Sequence, residues 1–243
     1  MSEVGLHSLD IWYDKGMSNK NPQFVNGKIY HVMVRAVGNT TVFDDEKDFY
    51  RGIFCIYEFN SSKPVNMWIR RRHRILEKKV LGRTSLTLQE RDVFVDVLAF
   101  SFMPNHLHLI LRQVKDGGIS KFMQKVGTGY ANYFNKKYQR KGHLFDKFRA
   151  VCIEDDIQLQ MVFIYVHTNL ISLIEPGWKE NGIKNIDKVI EFLENNKRHS
   201  YLDYIGKQNF PSVSQRDFYL DFLCGADGCR NAINNWIKYK KVV

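Results

Sequence analysis

The sequence predicts an α+β protein: a ferredoxin-like split βαβ core whose antiparallel sheet is flanked by helices, with a further helix after the last core strand. Three observations carry the prediction. Strand-like alternation marks residues 27–39, 91–103 and 105–114, helical apolar spacing marks 43–60, 119–138 and 155–174, and their order is β-α-(insert)-β-β-α-β-α. At 243 residues the chain is long for one domain and short for two. We therefore expect one core domain at 27–175, a basic insertion at about 61–91, and a C-terminal helical extension at 176–243.

The first strand, GKIYHVMVRAVGN, puts Tyr30, Val32 and Val34 on one face and Ile29, His31, Met33 and Arg35 on the other, and ends in a Gly-Asn turn. FDDEKDFYRGIFCIYEFN follows with acidic residues in its first turn and Phe49, Ile53, Ile56 and Tyr57 at helical spacing. The basic, less periodic stretch ending near Gln89 reads as an insertion holding one helix. Pro104 separates the next two strands, and having no N–H to give a ladder it belongs at their turn. Ile119, Phe122, Met123, Val126, Tyr130, Tyr133 and Phe134 form a helical stripe interrupted by Gly127-Thr128-Gly129. A short strand lies within 143–156. The last core helix starts with Asp155 or Asp156 as N-cap and stops at Glu175-Pro176-Gly177. Further on, NIDKVIEFLENNK is helical, and the aromatic and basic residues Tyr201, Tyr204, Phe210, Phe218, Trp236, Lys238, Lys240 and Lys241 suit packing or DNA contact equally.

An apolar content of 44% with 14% aromatics is enough for a sizeable core. No apolar run approaches the roughly 18–20 residues needed to cross a bilayer, and the first residues lack a signal-peptide pattern, so a cytoplasmic protein is expected. The four cysteines, Cys55, Cys152, Cys224 and Cys229, show neither CxxC nor Cys/His ligand spacing, which argues against a zinc module or a disulfide framework. The formal net charge is +10. Its positive residues cluster at Arg70, Arg71, Arg72 and Arg74, and again at Lys136, Lys137, Arg140 and Lys141. Such clusters are the footprint of a phosphate-backbone partner, so both are candidate DNA contacts; a solvated helix face is the competing reading.

MPNHLHLIL, at 103–111, carries the chemistry. Residues two apart on a strand share a face, so His106 and His108 sit side by side while Leu107 and Leu109 face the opposite way. Two imidazoles on one face can offer two neutral nitrogens to one divalent metal. A third ligand must come from elsewhere. In YVHTN, Tyr165 and Asn169 stand one helical turn apart, and if that face looks at the histidines, Asn169 supplies an oxygen and Tyr165 a hydroxyl nucleophile for displacement at phosphorus. His167 then points elsewhere. Tyr130 and Tyr133 read as core and Tyr138 as surface; His31 reads first as packing, with a place near the metal if the strand register permits, and His143 as a structural turn residue or phosphate contact that could help the site. No acidic ligand cluster follows the histidines, which weakens a small-molecule metal hydrolase reading.

MPNHLHLIL, GYANYFNKKYQRKGHLFDKFRAVCIEDD and IYVHTNLISL, preceded by IYHVMVRAVGN and FDDEKDFYRGI, resemble the His-hydrophobic-His single-strand transposases (IS200-like), and among them the REP-associated tyrosine transposases. The resemblance runs from about residue 27 to 175, with a weaker echo at HSYLDYIG. It implies a Mg or Mn ion on His106 and His108 with Asn169 as the added ligand. It also implies Tyr165 as the nucleophile of a covalent 5′-phosphotyrosine intermediate. The partner implied is single-stranded DNA with imperfect palindromic hairpins, cut and rejoined by a monomer or homodimer at the nucleoid during DNA transposition. Thr168 and Leu170 depart from the usual YIHLNP segment and bear on the helix end. The alternative is a non-catalytic or domesticated nucleic-acid-binding module on the same fold.

Overall fold

A computed structural model describes residues 22–64 and 91–241. Its core has the predicted order: β1 (Ile29–Arg35), α1 (Glu46–Phe59), β2 (Val95–Phe102), β3 (His106–Gln113), α2 (Gly118–Lys137), β4 (Arg149–Ile153) and α3 (Asp156–Thr168). The four strands form one sheet in the order β2-β3-β1-β4, each neighbour antiparallel. This is the ferredoxin-like arrangement, with β3 and β1 as the inner strands. The span from 65 to 90, which includes most of the expected insertion, its helix and the Arg70–Arg74 cluster, lies outside the described residues. The described residues on either side of that span meet on the core: the Ser62 N–H donates to the Asp92 carbonyl at 2.9 Å. Asn60 also bridges across, its Oδ1 accepting from Phe94 N–H at 3.0 Å and its Nδ2 donating to the Val95 carbonyl at 2.7 Å.

One sheet face is apolar and covered by α1 and α2. Tyr30, Val32 and Val34 of β1 join Leu107, Leu109 and Leu111 of β3 there, together with Phe49, Ile53, Phe122 and Tyr130. Asp45 caps α1 by accepting from Lys47 N–H at 2.8 Å and Asp48 N–H at 3.2 Å. The Gly127-Thr128-Gly129 segment does not interrupt α2. Gly129 is where Phe59 of α1 rests, so a Cβ there would run into its ring. β2 changes phase at a bulge: Val97 pairs with Leu111 but Ala99 with Ile110, leaving Leu98 as the extra residue. Val95 and Val97 before the bulge and Phe100 and Phe102 after it therefore all reach the same face. Between β2 and β3 the Pro104 carbonyl accepts from Val42 N–H at 2.7 Å and Phe43 N–H at 2.9 Å, so the residue with no amide to offer still pins the turn.

The other face carries α3 and the C-terminal helices: α4 (Trp178–Asn181), α5 (Ile186–Asn195), α6 (Tyr201–Tyr204), α7 (Asp217–Phe222) and α8 (Gly225–Tyr239). Asp155 is the N-cap of α3, accepting from Gln158 N–H at 2.7 Å. From Leu159 onward α3 is apolar around most of its circumference, which a helix can be only when it is covered on more than one side. Here the sheet covers one side and the extension the other, with Tyr201, Tyr204, Tyr219 and Trp236 buried in the same cluster as Val162, Phe163 and Val166. For those aromatics packing, rather than DNA contact, is the observed use. The extension also takes the open edge of β2: Phe102 N–H donates to the Arg198 carbonyl at 2.8 Å, and Ser200 N–H to the Phe100 carbonyl at 3.0 Å. Among the described residues no helix is long and apolar enough to cross a membrane, and the four cysteines are free.

His199 lies fully buried in this seam, its Nε2 3.0 Å from the Leu193 carbonyl. Burial lowers its pKa from 6.5 to about 4, against the opposing pull of the Leu193 bond. Its contribution to stability is thus complete above pH 6.5 and is lost as pH falls toward 4, because only the unfolded chain takes up the proton in that window. Urea unfolding at pH 7.5 and 4.5 should show a drop in stability, and about 2–3 kcal/mol of it should vanish in His199→Gln.

Candidate active site

Register sets out the site on the α3 face. His106 lies opposite Arg35 and His108 opposite Met33, so β3 delivers both imidazoles beside β1. Both are buried, at 8% and 2% exposure, and their ring centroids are 4.9 Å apart. From the opposite wall, the end of α3 brings Asn169, whose Nδ2 is 3.1 Å from His108 Nε2 and 3.5 Å from His106 Nε2. A half-turn of the carboxamide would present Oδ1 at the same place. Tyr165, half-buried one turn earlier, sets its ring edge-on to His108 with centroids 5.5 Å apart. His106, His108, Asn169 and Tyr165 therefore meet in one place.

Their open cleft, about 910 Å³, is also lined by Met33, Arg35, Met103, Asp146, Lys147, Phe148, Arg149, Ser172 and Lys179. Four cations against one carboxylate make it a place for an anion. The Lys179 ammonium stands 5.0 Å over the Tyr165 ring. Burial, with Arg35 and Lys179 adding to it, pushes the His106 pKa down to about 3. Burial, then the neighbouring His106 and His31, holds His108 well below its ordinary value. Both imidazoles are neutral at pH 7, the form that offers a lone pair.

Two neighbours fix the ring orientations. The His106 Nδ1–H donates to Asn105 Oδ1 at 2.6 Å, which leaves its Nε2 lone pair toward the cleft. Asn105 Nδ2 in turn donates to Asn39 Oδ1 at 3.5 Å, which also accepts from Arg35 Nη1 at 3.2 Å. Behind His108, the buried His31 places Nε2 3.0 Å from His108 Nδ1, with the two ring planes only 13° apart. The sequence alone leaves His31 between packing and a place near the site, which only the β1–β3 register decides, and marks neither Lys179 nor Asn105, although Asn105 stands inside MPNHLHLIL. Among the described residues no group of three or more His, Cys, Asp or Glu gathers as a metal site; the set here is two imidazoles and an amide.

The other sequence candidates lie elsewhere. Tyr130, buried, donates to the Val42 carbonyl on the opposite side of the sheet, and Tyr133 and Tyr138 donate to Asp48 at 2.9 and 2.6 Å. His167 turns away from the cleft, its Nε2 2.9 Å from Ser200 Oγ. His143 is exposed on the loop before β4. The described basic cluster divides. Lys136 and Lys141 are exposed, Arg140 lies 5.9 Å from the Phe134 ring, and Lys137 is held by the buried Asp48 at 2.7 Å and by Asp45 at 3.3 Å. None of these four lines the cleft. Lys137→Met, which leaves the 2% exposed Asp48 carboxylate with the Tyr133 and Tyr138 hydroxyls but without the Lys137 cation, should cost about 1–3 kcal/mol in urea unfolding, whereas Lys136→Ala should stay within about 0.5 kcal/mol.

Residues 60–169 match the family model described as Transposase IS200 like, a span that contains His106, His108, Tyr165 and Asn169. A comparison with curated protein sequences finds no match. Among solved structures, the chain is similar to a REP-associated tyrosine transposase bound to a REP hairpin, with 11% identity and a TM-score of 0.47 over 81% of this chain and 90% of that one. It is also similar to a bacterial tRNA(His) guanylyltransferase-like protein in complex with ATP, with 12% identity and a TM-score of 0.34 over 80% and 81% of the two chains.

Proposed function

From the IS200-like transposase match as premise, we propose that the chain is a metal-dependent single-stranded DNA endonuclease and strand transferase acting in DNA transposition, with Tyr165 as nucleophile. One observation carries the reading: Tyr165 and the His106, His108, Asn169 group meet in a single open cleft rich in cations. The donor set fits a divalent ion such as Mg or Mn, since two neutral imidazole nitrogens and an amide converge within 3.5 Å. When bound, that ion would polarise a non-bridging oxygen of the scissile phosphate.

The chain's own residues do the rest. Arg35, Lys147, Arg149 and Lys179 draw the phosphate backbone into the cleft and hold it there. The Tyr165 hydroxyl attacks phosphorus. A bond from its Oη to phosphorus forms, the bond to the 3′ oxygen of the preceding nucleotide breaks, and the phenolic proton ends on that departing oxygen. The products are a 5′-phosphotyrosine link and a free 3′ hydroxyl; attack by another 3′ hydroxyl reverses the exchange, so joining needs no external energy source. A tyrosine hydroxyl ordinarily ionises near ~10. The Lys179 ammonium over its ring puts a positive charge beside the place where the phosphate would react. Hairpin-bearing single strands are the substrate, and the exposed Lys136 and Lys141, with the arginines at 70–74, contribute backbone contacts that set affinity more than sequence choice. The 27–175 core with its insertion is the catalytic domain, braced by the extension.

Incubated with Mn or Mg and a single-stranded hairpin oligonucleotide, the protein should form a denaturant-resistant adduct, and Tyr165→Phe should lower it to background while circular dichroism is unchanged. An adduct persisting in that variant overturns the assignment to Tyr165, and binding with neither cleavage nor adduct points to a non-catalytic module. Lys179→Ala should reduce the slope of log affinity for single strands against log salt by about 0.7.

A further inference from the structure

Among the described residues, His31 is the one buried imidazole beside the site that the proposed chemistry leaves without a task. It reaches the site from β1, not from the strand that carries His106 and His108, and is 0% exposed. Its Nε2 is 3.0 Å from His108 Nδ1, the ring planes are 13° apart, and its ring meets Tyr165 edge-on with centroids 5.7 Å apart. We propose that His31 is a positioning residue that holds the proton of His108 on Nδ1, and so turns the His108 Nε2 lone pair into the cleft.

Two neutral imidazoles joined nitrogen to nitrogen share one proton between them, and the pair has two arrangements. If His31 donates from Nε2, His108 Nδ1 accepts and the His108 proton must sit on Nε2, facing Asn169 and the cleft. That arrangement closes the nitrogen to any ligand. If His108 donates from Nδ1, His31 accepts on Nε2 and carries its own proton on Nδ1, and His108 Nε2 is open. Only the second serves the site. His106 achieves the same result with a different acceptor, donating from Nδ1 to Asn105 Oδ1 at 2.6 Å. Both histidines of the strand motif thus have an acceptor behind Nδ1. An imidazole is suited to the position behind His108 because its in-plane lone pair can accept while its ring lies nearly in the plane of the ring it orients, leaving room for Tyr165 edge-on to the pair.

This assignment rests on the reading of the cleft as a metal site, and its tests separate the two. In long-range proton–nitrogen NMR of the metal-free protein, His108 should carry its proton on Nδ1. A proton on Nε2 overturns the inference whatever the metal does. Mn(II) titration followed by electron paramagnetic resonance should show His31→Leu weakened by about 10- to 100-fold, the usual cost of losing a partner behind a ligand. His31→Gln, whose Oε1 can accept where Nε2 stood, should recover to within a few-fold of the parent. Binding of single strands in a chelator should be unchanged in both, which a collapse of the fold would not allow. Equal Mn(II) affinity in parent and His31→Leu overturns the positioning role. A parent that binds no Mn(II) yet has the Nδ1 proton overturns the metal reading and leaves the orientation of His108 standing.

Discussion

The site depends on the phase of one strand. β3 is bonded on both sides, to β2 and to β1, and it is buried on both faces. Its period-two alternation sends Leu107, Leu109 and Leu111 to the α1/α2 face and His106 and His108 to the α3 face. A slip of one residue would put the leucines in an open cation-lined cleft and two imidazoles among Phe122, Val126 and Tyr130. Each such imidazole would then have polar atoms without partners in an apolar layer, a cost of about 1–3 kcal/mol per group. The strand cannot drift without paying on both faces at once, so the spacing of the imidazoles is held by the core.

Burial then decides the chemistry. His31, His106 and His108 all lose protons relative to exposed histidine, chiefly because each is out of water. Arg35 and Lys179 push the same way on His106 and His108. Those two cations also line the cleft. One field therefore does two things: it adds to burial in keeping the imidazoles uncharged, hence able to donate lone pairs, and it makes the cleft attractive to an anion. A carboxylate in the place of either histidine would bring a negative charge to the floor of the cleft and weaken its attraction for any anion.

Much of this was readable from local pattern. The alternation of β1 and β3, the acidic start of α1, the Asp155 cap and the Tyr165–Asn169 spacing are all short-range features, and they appear where the residues indicate. What escaped is non-local. Leu98 sits in VDVLAFSF, where both faces are buried, so an apolar run carries no mark of the bulge that changes its phase. Lys137 reads as one of four similar cations, but its carboxylate partner, Asp48, is 89 residues away in sequence. His31 looked like packing because only the pairing of β1 with β3 puts it behind His108. The helix read as running to Ile174 in fact tightens: α3 ends at Thr168 and Asn169–Leu173 is a 3₁₀ turn. Thr168 and Leu170 take part in that change, the first donating from Oγ1 to the Ile164 carbonyl at 2.8 Å and the second fully buried. Their departure from the usual segment leaves Tyr165 and Asn169 on one wall.

The extension belongs to the same physical problem. A helix as apolar as α3 needs a second wall, and the sheet supplies only the first. Trp178 and Trp236 form part of that second wall, edge-on to each other with centroids 5.2 Å apart, and both are buried. Lys179 follows Trp178 directly. The anchored indole therefore fixes the backbone from which the lysine reaches the Tyr165 ring. Packing that begins as a way to keep apolar surface from water ends by placing a cation over the Tyr165 ring, and a residue with no recognisable motif of its own gains its position from the tryptophan beside it.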